Sequence, residues 1–363
     1  MTRNLKIFLL CAAFAAAAGA LVYSTVSRSL RAQDERIDWP ALAALAQAKG
    51  YPRALALVDR RLAAHPKDAL MYYFRARLYY EQGAGDKALA EADKAIELGY
   101  AQEISHLLKA LIRGRLLGDY RGQKELSAKA LTFDPTYDEA YVVRAEAEYA
   151  LGEYKACAAD ADSFSNMRRA ETDGYEYALL CREALGDYAG AEAAGLRILK
   201  IKPAAHSAYW RLGRLYAAQG LRKKAIKNFT EAIRLNPNRP QYYLDRARAC
   251  EEEGDLSCAA WDYYAATGWK EVSAYASYYY LLGSDMYRIG EFQAGLAAAD
   301  SAVRMQPRSA AGYELRGRLR ADSGDAAGAK VDFLRMSALD PALSAESARL
   351  ISLLGKKRAP DKL

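Results

Sequence analysis

Three histidines, five cysteines and a set of spaced arginine and acidic residues are what this chain offers for chemistry. His65, His106 and His206 stand far apart, with no HxxxH or HExxH spacing and no cysteine cluster beside them. They read as surface or turn residues, and no metal centre is expected. Gly83-Ala84-Gly85-Asp86-Lys87 has glycines and a lysine like a phosphate loop, but lacks the Gly-Lys-Ser/Thr ending and a preceding strand. Neither a GxSxG elbow nor a GxGxxG turn occurs, so acyl transfer and dinucleotide chemistry lack their motifs. The expectation is a non-catalytic protein without cofactor or metal. Disulfide chemistry stays open: Cys250 and Cys258 flank Gly254-Asp255, a separation compatible with the Cα distance of a bridge. The spacing favours that pair over Cys157 with Cys181, and small apolar filler is the competing role for all four.

Four arginines are each followed sixteen residues later by an acid: Arg75 by Glu91, Arg144 by Asp160, Arg246 by Asp262 and Arg316 by Asp332. Arginine is always charged and its planar fork matches a carboxylate, so these pairs read as structural bridges. A catalytic role for Asp160 or Asp262 falls accordingly. The hydrophobic share of 52% excludes a wholly disordered chain. Net charge is +7, much of it on Arg3, Lys6 and the tail residues Lys356, Lys357, Arg358 and Lys362. No basic field for nucleic acid extends over the rest.

Arg3 and Lys6 precede an apolar run from Ile7 to Val22, with Ala18-Gly19-Ala20 offering a cleavage site. That pattern predicts export. Cys11, after Phe8-Leu9-Leu10, reads as an ordinary apolar residue of the run rather than a lipidation site. The stretch Ile7–Val26 also has the length of a membrane span, so residues 1–34 are either a cleaved signal or an N-terminal anchor. Membrane contact is expected through this segment alone, leaving the remainder periplasmic or anchored facing the periplasm.

The elements that must position the charged and aromatic residues follow from a beat of about 34 residues: Gly83, Gly118, Gly152, Gly186, Gly220, Gly254, Gly290 and Gly324. An acid follows six of these glycines, and Pro66, Pro135, Pro203, Pro237, Pro307 and Pro341 keep the same period. Glycine closes one helix in the left-handed conformation, an acid suits the next helix start, and proline stops the second helix. Each copy is therefore a helix–turn–helix. Aligned on the glycines there are nine: 35–68, 69–102, 104–137, 138–171, 172–205, 206–239, 240–273, 276–309 and 310–343. The first copy has Lys49-Gly50 where the beat expects glycine one place earlier, and two extra residues stand near Lys270-Glu271. The fifth copy has Gly195, and the eighth Gly295 and Ala299, at consensus places. Residues 344–363 add an amphipathic capping helix and a basic tail.

The clearest copy carries Tyr209, Leu212, Gly213, Tyr216, Ala225, Phe229, Ala232 and Pro237. Those spacings resemble the tetratricopeptide repeat, and the resemblance covers residues 35–343. It implies an all-α solenoid of about nine repeats whose first helices line a concave groove for a protein or peptide partner. Places two, five, nine and twelve of the first helices should then face inward. They supply Trp39, Tyr73, Tyr80, Tyr149, Trp210, Tyr280 and Tyr287 among Arg77, Arg115, Arg214, Arg248 and Arg318, with Glu139, Glu146, Asp173, Glu176, Glu183 and Glu251 as acids. Aromatic residues and arginines are the usual binding anchors. Tyr209, not Trp210, is expected to occupy the packing place. The family's carboxylate clamp needs Asn and Lys where this chain has Arg211, Asp245 and Leu281, so capture of chaperone tails is not expected. The leading expectation is an exported or anchored scaffold for cell-envelope or secretion complexes. The alternative is an accessory subunit handling surface polysaccharide or peptidoglycan, with the groove stacking on sugars.

Overall fold

The computed structural model describes residues 48–269 and 275–354. Over them the protein is an α-solenoid with no strand among the described residues. The chain divides into two compact blocks at Gly186/Asp187, the hairpin turn of the fifth repeat. In the first, α1 (Tyr51–Ala64) is followed by the hairpins α2 (Ala69–Glu81) with α3 (Gly85–Glu97), α4 (Gln102–Leu111) with α5 (Tyr120–Phe133), and α6 (Asp138–Leu151) with α7 (Tyr154–Met167), then α8 (Asp173–Leu185). In the second, α9 (Tyr188–Ile201) precedes α10 (His206–Ala218) with α11 (Arg222–Leu235) and α12 (Pro240–Glu253) with α13 (Leu256–Thr267). Then come α14 (Ala276–Arg288) with α15 (Phe292–Met305), α16 (Ala310–Asp322) with α17 (Ala326–Leu339), and α18 (Ser344–Leu353).

The glycine beat works as the backbone requires. All eight glycines have φ between +71° and +90°, the region a Cβ disfavours, and each ends a helix without a steric cost. The first repeat has lysine there instead: Lys49 takes φ +54°, and Gly50 after it does not share the left-handed conformation. Asp119, Asp187, Asp255 and Asp325 then cap the next helix, each accepting a backbone N–H three residues on.

Packing repeats with the sequence. Gly213 faces Phe229 and Gly317 faces Phe333 so closely that a Cβ on either glycine would lie 2.6 Å from the ring. The eighth repeat solves the same contact differently: Gly283 meets the backbone at Gly295, and Leu315 and Leu319 of the next repeat fill the space. Its departure at Gly295 and Ala299 is thus a closer helix approach. Where helices not adjacent in sequence touch, they are first helices of successive repeats: α4 with α6 and α6 with α8 in one block, α10 with α12 and α14 with α16 in the other. This makes the first-helix side the inner one within each block. At the C-terminus, α18 buries Leu350 against Phe333 and Met336, and Ser347 Oγ donates to Phe333 O at 2.7 Å, as a solenoid cap should.

One local irregularity was not legible in the repeat. Residues Ile112–Leu116 continue α4 as a π-helical turn. Gly114 in that turn lies against buried Gln123, whose Oε1 would be 1.6 Å from an added Cβ.

The expected export segment, residues 1–34, lies outside the described residues, as do Trp39 and the Lys270-Glu271 insertion. Among the described residues no helix is long and apolar enough to cross a membrane.

Candidate functional site

The sixteen-residue spacing places each arginine on a first helix opposite its acid on the second helix of the same repeat. Arg144 Nε and Nη2 donate to Asp160 at 2.5 and 2.8 Å, and Arg246 reaches Asp262 with two bonds of 2.7 Å. Arg316 meets Asp332 at 3.0 and 2.7 Å. Arg75 lies 2.8 Å from Glu91. The three aspartates are buried, with Asp262 side chain 4% exposed and Asp332 1%, whereas Glu91 is partly exposed. Three of the arginines also reach back sixteen residues into the preceding repeat: Arg75 to Asp59, Arg246 to Thr230 and Arg316 to Asp300. Tyr72, Tyr141 and Tyr313, three residues before their arginines, lie under the guanidinium groups at 5.3–5.5 Å. Each such arginine is a staple within a hairpin and, where place twenty-five offers an acceptor, between repeats.

The inner face of the N-terminal block is mostly tied up in packing. Tyr73, expected to line a groove, is 1% exposed and packs against Tyr100 at 5.2 Å, because its place points into the seam among α2, α3 and α4. Burial pushes the Tyr73 and Tyr80 hydroxyls up, and the neighbouring charges of Arg77 and Arg115 offset this in part. Arg115 also grips Glu146 of the next repeat at 3.0 and 2.9 Å, and Gln123 Nε2 donates to the same carboxylate at 3.1 Å. Burial works against the charge on Arg115, yet Glu146 keeps it firmly protonated. Tyr149 sits 5.7 Å from Tyr154. Glu139 is pushed up to about 8 by burial and by neighbouring Asp138, which against its own burial is held low by Glu139 and Arg168. Two histidine expectations also change: His106 is buried, stacked on Phe133 at 5.3 Å with Nδ1 against Gln102 O, and only His65 is exposed.

The C-terminal block gathers more of the expected anchors at one place. Trp210 of α10 donates its Nε1–H to Asp245 Oδ2 of α12 at 2.7 Å, and its ring lies 5.7 Å from Tyr242. Arg214 and Arg211 lie over the ring at 5.2 and 5.7 Å. Asp245 also accepts from Gln241 at 2.7 Å and lies 3.6 Å from Arg248, which is exposed. His206 Nδ1 meets the Tyr242 hydroxyl at 2.7 Å, and burial together with Arg239 holds this imidazole below its usual range. The seam thus offers an indole, three arginines and an ordered carboxylate, a set suited to a polar segment with an apolar anchor. Trp210 is half-buried against the Leu212–Phe229 core, so it packs as well as lines, contrary to the expectation that Tyr209, and not Trp210, occupies the packing place. Further along, the Tyr287 hydroxyl donates to Asp322 at 2.8 Å, Tyr280 is half-buried beside Glu314, and Arg318 pairs with Glu314 at 2.8 Å and Glu346 at 3.4 Å.

Trp261 and Tyr264 were not among the expected anchors. They are 66% and 60% exposed on α13, a second helix, in edge-to-face contact at 6.1 Å. Their signal was present in the alignment: the equivalent places of the sixth and eighth repeats hold Lys227 and Thr230, and Ala297 and Asp300.

Both cysteine pairs are bridged. Cys250 and Cys258 join α12 to α13 with Cα atoms 5.9 Å apart. Cys157 and Cys181, the pair the spacing disfavoured, join α7 to α8 at 6.2 Å, because these helices pack side by side across a repeat boundary. Cys250, Cys258 and Asp262 converge within 4.8 Å, but two of these donors are committed to a disulfide and the third to Arg246.

The tetratricopeptide repeat family model matches residues 206–239, and a second model of the same repeat matches 41–101 and 280–343. This chain is a tetratricopeptide repeat protein. A curated relative, the tetratricopeptide repeat and J domain-containing co-chaperone DNJ1 of Cryptococcus neoformans, is 24% identical over 167 residues, 44% of this chain. The chain spans about a third of that relative's length, 32%. Among solved structures, the C-terminal part of a tetratricopeptide repeat protein from Cytophaga hutchinsonii is 14% identical, with TM-score 0.56 over 67% of this chain and 98% of that one. A tetratricopeptide repeat protein from Parabacteroides merdae is 15% identical, with TM-score 0.46 over 70% and 98%. The Cytophaga likeness concerns the fold. Tetratricopeptide arrays are protein-interaction scaffolds, and the first-helix face described above is where this one has its aromatic and basic side chains.

Proposed function

We propose that this protein is a non-catalytic scaffold that holds a protein or peptide partner against its first-helix face, exported or membrane-anchored, in the assembly of a cell-envelope or secretion complex. The Trp210–Arg214–Asp245–Arg248 seam carries the reading, because it combines an aromatic anchor with arginines on one inner face. The test compares wild type with an Arg214→Glu/Arg248→Glu variant as bait in envelope extract. Loss of captured proteins by the variant is the expected result; an unchanged set refutes the assignment of the face. Export rests on the Arg3/Lys6 and Ile7–Val22 pattern. A C-terminal alkaline-phosphatase fusion should be active, and an inactive fusion removes that part. One observation favours the polysaccharide alternative: the exposed Trp261–Tyr264 pair has the area and polarity for sugar stacking, although it lies on a second helix. Glycan-array binding that disappears in Trp261→Ala distinguishes the two readings.

A further inference from the structure

The two disulfides differ in a way that gives them different chemistry. Cys157 and Cys181 are both completely buried, between α7 and α8. Cys250 is equally buried, but its partner Cys258 is partly exposed in the first turn of α13. A thiol can therefore approach one sulfur of the second bridge and neither sulfur of the first. Thiol–disulfide exchange proceeds by attack of a thiolate on an accessible sulfur, so access decides which bridge reacts in the folded protein. A second feature bears on reversibility. The same two helices are held by Arg246 to Asp262, with two bonds of 2.7 Å, and by the Tyr263 hydroxyl to Glu251 at 2.6 Å. Ala259, Ala260 and Tyr263 are also buried against Leu244 and Ala247 of the same hairpin. The hairpin thus has fastenings besides the bridge.

We propose that Cys250–Cys258 is an exchange-active disulfide, addressed at Cys258 by an external dithiol, whereas Cys157–Cys181 is a sealed structural bridge. In the exchange, a thiolate of the dithiol attacks Cys258 Sγ and forms a mixed disulfide. The Cys250–Cys258 bond breaks, and its electron pair leaves on Cys250 Sγ, which takes a proton. The second thiol of the reagent then attacks the mixed disulfide at the reagent's own sulfur, and Cys258 departs as the thiol. The bridge has gained two electrons and two protons, and the dithiol has become a disulfide. The return reaction with a disulfide of more oxidising potential restores the bridge.

The test uses the full-length protein, first oxidised with oxidised glutathione, then held natively in dithiothreitol and sampled with a mass-tagged alkylating reagent. Peptide mass spectrometry should find Cys250 and Cys258 labelled at least about tenfold faster than Cys157 and Cys181, whose exchange waits on local unfolding. Equal rates, the reverse order, protection of both bridges until urea is added, or no Cys250–Cys258 bridge after oxidation would each overturn the proposal. Polarity is read separately by mixed-disulfide formation with oxidised glutathione. Cys250→Ser, which leaves Cys258 alone, should take up glutathione, and Cys258→Ser, which leaves buried Cys250, should not. Uptake at Cys250 instead removes the assignment of the attacked sulfur. The wild-type comparison stands whether or not either variant folds.

Discussion

Replacing Arg246 by alanine tests the reading of the arginine–carboxylate pairs most directly. Asp262 is 4% exposed and takes both its charged contacts from Arg246, at 2.7 Å each. Burial already raises its pKa, and Arg246 only partly offsets this. Removing the arginine leaves a buried carboxyl group without its counter-charge, a change that costs about 3–5 kcal/mol, against about 0–1 kcal/mol for an exposed pair. Arg316→Ala is the internal comparison. Asp332 is just as buried but keeps Arg320 Nη1 at 2.8 Å, so it is not stripped of counter-charge, and the loss should stay at about 1.5–3 kcal/mol, the scale of hydrogen bonding to a charged group. A shape-filling Arg246→Met/Asp262→Leu double variant should recover most of the loss, since a buried pair exchanged whole for apolar groups is close to neutral. The cost should also depend on pH. A carboxyl group whose folded pKa is raised contributes stability at low pH that is lost as pH rises through that value, so Arg246→Ala should be more damaging at pH 8 than at pH 5. Urea unfolding followed by circular dichroism gives the magnitudes, and hydrogen exchange in α12 and α13 localises them, because an array need not unfold in one step. A cost below about 1 kcal/mol for Arg246→Ala, or equal costs for both arginines, refutes the reasoning.

Lys49 holds a left-handed conformation that the hairpin turns give to glycine, so Lys49→Gly should stabilise the turn leading into α1 by about 1 kcal/mol; a lower melting temperature would count against that account. Asp285 is 1% exposed with Oδ2 unpartnered, and burial followed by the charge of Glu251 pushes it up to about 7, Arg288 at 3.5 Å offsetting this only in part. The folded chain therefore keeps a proton that the unfolded chain releases near pH 4, and this contribution is lost as pH rises to 7. Asp285→Asn keeps the group neutral, so its melting temperature should gain on wild type between pH 5 and 8, whereas a constant difference would refute the protonation.

The period of the chain was readable because it resides in residues that act locally. A glycine that must turn left-handed, an aspartate that caps and a proline that stops a helix work within one turn of the backbone, and repeated in step they determine helix, turn and helix. The four arginine–acid spacings were legible for the same reason, since a fixed hairpin converts sixteen residues of sequence into opposite sides of one helix pair. Beyond the hairpin this logic weakens. Tyr73 and Trp210 occupy places assigned to a groove, yet the neighbouring repeat covers the first and half-covers the second. Arg115 finds Glu146 thirty-one residues away, through a contact that exists only once successive repeats are stacked, and His106 is covered by Phe133 of its own hairpin, a place the repeat pattern read as a turn. Cys157 and Cys181 come together across a repeat boundary, which no spacing rule for one hairpin contains. The sequence by itself determined the helices, their turns and the arginine–acid bridges inside four of the repeats. Only the tertiary structure decided which inner side chains remain open to a partner, because burial depends on how the next repeat packs.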